Sequence, residues 1–130
     1  DDPEQGFRPV EQDMSELGRG LFARLQILRI QLASGRYDAD NILQDFTAIQ
    51  QLITSTTLKS YHAQVYELLG TYHLREGRPN EALGGWVRSL EISPRPGNPA
   101  TTLVRRLAAR SGKPQLLEEM RRRFPTAFPD

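Results

Sequence analysis

The sequence has no cysteine, two histidines, one tryptophan and no long apolar run. Without cysteine there is no disulfide, no thiolate nucleophile, no zinc–thiolate site and no iron–sulfur cluster. The missing cysteine does not choose a compartment. His62 and His73 lie too far apart for the three- or four-residue spacing that puts two metal ligands on one helix face. His73 is expected as a packed core residue and His62 as a solvated one. No stretch of about 18 apolar residues is present, so no membrane span is expected, and no signal peptide is visible. The chain opens at Asp1 and not at Met, which reads as a processed or trimmed protein. A soluble cytoplasmic domain is expected, or a bacterial cell-envelope protein if a signal or anchor preceded Asp1.

Strong charge of either sign is also missing. Seventeen Lys and Arg stand against sixteen Asp and Glu, for a net charge of +1. Nucleic-acid domains carry a marked basic excess, so this balance argues against that class. The run Arg121-Arg122-Arg123 is the local exception. Glu118 and Glu119 stand four residues before Arg122 and Arg123, a spacing that suits intrahelical ion pairs, and cations suit a helix C-terminus. A structural role is therefore expected there. Glu118-Glu119 does not make a catalytic dyad, since adjacent helical residues do not face each other. Gly18-Arg19-Gly20 lacks the third glycine and the strand of a dinucleotide site. No phosphate loop or serine elbow appears. No catalytic, metal-binding or cofactor-binding residue is assigned, no cofactor is expected, and an enzyme is the least supported class.

What the sequence does hold is helical periodicity cut by Gly and Pro. Residues 1–12 carry two prolines, a glycine and four acids without an apolar period, and read as an extended arm. A first helix is expected after Asp13, with Glu16 completing a capping box. Leu17, Leu21, Leu25, Leu28 and Leu32 form its stripe. Phe22, Ile27 and Ile30 widen that stripe and predict burial on more than one side. Gly35 stops the helix. A second helix carries Ile42, Phe46, Ile49 and Ile53, and 54–57 reads as a loop. A third runs over about 58–76 and a fourth from Pro79 to before Pro94. A fifth is capped by Asn98 and ends at Gly112. A sixth opens with Pro114 and is stopped by Pro125. The expectation is one helical domain over 13–130 with pairs at about 14–54, 58–93 and 98–124.

Three inter-helix turns look alike: Gly35-Arg36-Tyr37-Asp38, Gly77-Arg78-Pro79-Asn80 and Gly112-Lys113-Pro114-Gln115. The second and third glycines are 35 residues apart and the first and second 42; a helix–turn–helix with a period in the mid-thirties marks a helical solenoid. Residues 63–96 resemble the tetratricopeptide repeat (TPR) family. Tyr66 takes the position usual for Trp, Leu69-Gly70 the Leu-Gly pair, and Gly77 the turn glycine. Ala82 takes the small position, Trp86 the aromatic one and Pro94 the terminal proline. His73 stands where Tyr is usual, and Ser89 where Ala is. The flanking units depart further. Leu28 and Asp40 replace small residues in the first, and Leu117 replaces one in the third. The resemblance implies an all-α fold of about six helices, with antiparallel hairpins stacked as a short right-handed solenoid. Gly70 and Ala82 would then face each other across the helix pair. Six helices would also suit an ordinary bundle.

The resemblance also implies a function. In this family the first helix of each pair lines a concave face that holds a protein segment. The matching positions here are Arg29 in the first unit, Gln64, Glu67, Thr71 and Arg75 in the second, and Thr102, Arg106 and Arg110 in the third. Four arginines against one acid suggest an acidic or amphipathic partner segment. The same side chains could instead merely solvate a helix face. Glu67 and Thr71 occupy positions where a carboxylate clamp would need Lys and Asn, so that clamp is not expected. The function implied is a protein–protein scaffold or assembly factor. A homo-oligomerisation module is the alternative, and a nucleic-acid role through the arginines is a weaker one.

Overall fold

The computed structural model describes residues 3–54 and 59–129. Within them the chain is all-α. Six helices follow in order: α1 (Pro3–Ser34), α2 (Ala39–Thr54), α3 (Lys59–Arg75), α4 (Pro79–Ile92), α5 (Pro99–Ser111) and α6 (Pro114–Arg123). Among the described residues no helix is long and apolar enough to cross a membrane.

The punctuation falls where the sequence places it. Gly35, Gly77 and Gly112 have φ of 72°, 79° and 63°, a region where a Cβ is strained. After Gly77 and after Gly112 the chain closes the same way. Arg78 N donates to His73 O at 2.8 Å and Lys113 N to Ala108 O at 3.0 Å, so the last carbonyls of α3 and α5 find donors. Pro79, Pro99 and Pro114 each open a helix, where a missing N–H is harmless. Asn98 caps α5, its Oδ1 accepting from Ala100 N at 2.9 Å.

Two expectations at the first helix need correction. Residues 3–12 belong to α1 and are not an extended arm. Pro3 stands at the first helical position, where a missing N–H is harmless, so only Pro9 interrupts the hydrogen-bond ladder. Phe22, Ile27 and Ile30 do not bury a second face. They are 53%, 54% and 67% exposed, while Leu21, Leu25, Leu28 and Leu32 are fully buried. The helix has neighbours on one side only, because α2 and α3 both pack there. The loop expected at 54–57 begins with Thr54, the last residue of α2; the rest lies outside the described residues.

Packing proceeds along the chain. The helix α3 meets α1, α2 and α4; α4 meets α5; and α5 meets α6. One apolar cluster joins α1, α2 and α3 around Leu25, Phe46 and Leu68. A second joins α4, α5 and α6 around Trp86, Val104 and Met120. Beyond the end of α6, Ala127 and Phe128 are both 2% exposed and close the second cluster. Arg105 covers the Phe128 ring at 5.3 Å.

Between the clusters runs a seam of small residues. A Cβ built at Gly70 would lie 2.6 Å from the Trp86 ring and 2.7 Å from Ala82 O. The helices α3 and α4 therefore touch backbone to side chain, and Gly70 does oppose Ala82. Gly85 belongs to the same seam, against α3. Gly84 faces open space. Neighbouring residues on a helix point about 100° apart, so only one of the two can pack against α3. Trp86 Nε1 donates to Glu67 O at 3.1 Å. Ser89 Oγ donates to Ala63 O at 2.7 Å and accepts from Asn98 Nδ2 at 3.1 Å. Ser89 thus ties α3, α4 and the start of α5 together.

Candidate functional site

The helices α1, α3 and α5 share one side of the molecule. No close packing joins α3 to α5, and the space left between them is a furrow. Three adjoining hollows make it up. The central one, of about 360 Å³, lies between Arg29, Leu32 and Ala33 of α1, Glu67, Leu68, Thr71 and Arg75 of α3, and Pro99, Thr102, Leu103 and Arg106 of α5. Toward the C-terminal ends of α3 and α5 it opens into a hollow of about 520 Å³, where Leu74, Trp86, Leu107 and Arg110 join the wall. Toward the other end, Gln64, Arg95 and Asn98 line a third hollow of about 340 Å³.

All eight residues singled out from the sequence line this furrow. Helical spacing explains it. Gln64, Glu67, Thr71 and Arg75 advance by three and four along α3, and Thr102, Arg106 and Arg110 by four along α5, so each set stays on one face. Arg95 was missed. It lies in the turn before α5, where no helical period points to a face.

The charges are not equivalent. Glu67 is 2% exposed, and Arg29 Nη2 donates to its Oε1 at 2.9 Å. Burial pushes the Glu67 carboxyl above the ordinary carboxylate range, although the neighbouring Arg29 charge pulls it down. This pair bridges α1 and α3 and consumes one of the four arginines. Arg75 is partly committed, with Nη2 donating to Ala33 O at 2.8 Å, which caps a free carbonyl near the end of α1. That carbonyl is neutral, so the Arg75 charge stays uncompensated. Arg106 and Arg110 are exposed. They have no hydrogen-bond or ion-pair partner among the described residues.

Outside the furrow, His73 is half-buried rather than a core residue. Arg78 Nε donates to its Nδ1 at 3.1 Å, and a guanidinium can only donate. The imidazole is therefore neutral, with its proton on Nε2. Burial and the Arg78 charge both lower its pKa. His62 is likewise half-buried. Neither expected ion pair between Glu118-Glu119 and Arg122-Arg123 closes; Arg123 instead stacks on Phe124 at 5.2 Å. Comparison with family models, with curated proteins and with solved structures finds no match.

Proposed function

We propose that this chain is a tetratricopeptide-type module whose work is to hold a segment of another protein in the furrow between α1, α3 and α5. The observation that carries the reading is the wall of that furrow. Its floor is apolar, with Leu32, Leu68, Leu103 and Leu107, and its rims are polar and cationic. An apolar centre with a polar rim is the composition of a recognition surface. The helices forming it are held by the Gly70–Gly85 seam and by the Ser89–Asn98 link, so the furrow is preformed, and preformed surfaces lose little ordering entropy on binding.

Site-specific photo-crosslinking in the cells that make the protein tests this. A crosslinker at Thr102 or Gln64 should trap a protein partner, and one at Glu91, on the exposed outer face of α4, should not. Equal trapping from both faces, or none from the furrow, removes the reading.

A second reading rests on Phe22, Ile27 and Ile30. Three large apolar side chains exposed on one helix suit contact with a second copy. Sedimentation equilibrium decides: under this reading a dimer forms and Ile27→Glu with Ile30→Glu returns it to monomer.

A further inference from the structure

We propose that the furrow is polarised by charge, and that it takes an acidic protein segment whose carboxylates seat at the end formed by Arg75, Arg106 and Arg110. This deepens the furrow reading and rests on it. At the α1 side, the Arg29 charge is cancelled by Glu67 at 2.9 Å. At the other end the hollow is walled by three arginines and no acid. Arg106 and Arg110 stand one turn apart on α5, where like charges repel, and a carboxylate between them relieves that repulsion. Glu76, next to Arg75 in the sequence, accepts instead from Tyr37 Oη at 3.3 Å and does not line this hollow.

The helix ends oppose this only in part. The C-termini of α3 and α5 carry the negative ends of their macrodipoles, about half a charge each. Three whole positive charges outweigh them. Arginine also offers the planar fork that grips a carboxylate with two bonds.

The floor selects the class of partner. Leu74, Leu103 and Leu107 offer aliphatic contact, and Trp86 is wholly buried, so no aromatic face is presented to a base. A single-stranded nucleic acid would want stacking platforms along a cationic track. A peptide interleaving Glu with Leu satisfies both rim and floor.

The test is an amide NMR titration of the whole chain with a short peptide alternating Glu and Leu. Its Gln-for-Glu counterpart and a single-stranded oligonucleotide serve as the other arms. The expected result is a set of shifts centred on Arg75, Leu103, Arg106 and Arg110. Affinity should fall about ten-fold for the Gln peptide and for the Arg106→Glu, Arg110→Glu double variant. Both side chains are exposed, so the double variant should fold; Arg106→Gln with Arg110→Gln provides a milder check. Shifts centred on Arg121-Arg122-Arg123, no binding, or equal affinity for the oligonucleotide at this end would each overturn the proposal. If the acidic peptide fails while Thr102 still crosslinks a partner, the charge preference falls and the furrow stands. If both fail, both fall.

Discussion

Gly85 rests directly on Gly70: a Cβ added at Gly85 would lie 2.9 Å from both the N and the Cα of Gly70. Two helices approach this closely only where both carry hydrogen. The contact sets the distance between α3 and α4, and Trp86 then fills the adjoining space at 0% exposure. Because α3 lines the furrow and α4 carries α5, the spacing at this seam positions both furrow walls.

Glycine substitutions should therefore separate sharply. Gly70→Ala and Gly85→Ala force backbone or the Trp86 ring to move, at a cost of about 1–3 kcal/mol each. Gly84→Ala meets open space within a helix and should gain about 0.5–1 kcal/mol. Guanidinium midpoints of the three variants check the order. A destabilised Gly84→Ala, or an unaffected Gly85→Ala, would contradict the seam.

Trp86 reports on the same place. It is the only tryptophan, it is fully buried, and its Nε1 donates to Glu67 O. Its fluorescence should be that of an apolar site and move to longer wavelength in a single step on unfolding. Trp86→Phe removes this hydrogen bond and part of the ring; Glu67 O keeps its Thr71 Oγ1 donor at 3.0 Å, so the lost bond itself should cost about 0.5–1.5 kcal/mol. A native emission already at the solvent-exposed wavelength would be incompatible with this packing.

The Glu67–Arg29 pair predicts a pH dependence. Burial raises the Glu67 pKa above its ordinary value, so as pH falls the folded chain takes up this proton before the unfolded chain does. Its contribution to stability is thus greatest on the acid side and is lost as pH rises through the window between the ordinary and the raised value. Glu67→Gln should flatten that slope in urea melts across mildly acidic pH. Arg29→Ala should cost about 1–3 kcal/mol at neutral pH, by leaving a buried acceptor group without its donor, and part of the loss should return on acidification. An unchanged slope in Glu67→Gln would assign the dependence to other groups.

The link between Ser89 and Asn98 predicts an effect on one furrow wall. Asn98→Ala removes the cap of α5 and the bond to Ser89, at a cost of about 0.5–2 kcal/mol. Amide exchange should quicken first in the opening turn of α5, including Thr102, while α3 keeps its protection. Uniform loss of protection across the chain would show that α5 is not anchored there.

Much of this was legible in sequence because it is local or periodic. Gly35, Gly77 and Gly112 mark helix ends since a left-handed residue after a helix is nearly always glycine. The furrow residues could be named only through the resemblance to the tetratricopeptide family; the helical period is the reason each set of them stays on one face. Where the reading went astray, the missing information was the neighbour. Nothing in the apolar spacing of Phe22, Ile27 and Ile30 says that no helix covers them. Nothing in the short segment after Pro125 says that Phe128 folds back. Arg95 sits in a turn, where no period assigns a side.

The sequence by itself determined the helices after the first, their glycine and proline stops and one buried stripe on each, because those depend on interactions within a few residues along the chain. Only the tertiary structure decided which arginine is spent on Glu67, which caps Ala33, and which two remain open at one end of the furrow. Those outcomes depend on distances between helices, and electrostatic pairing falls off too steeply with distance for spacing along the chain to settle it.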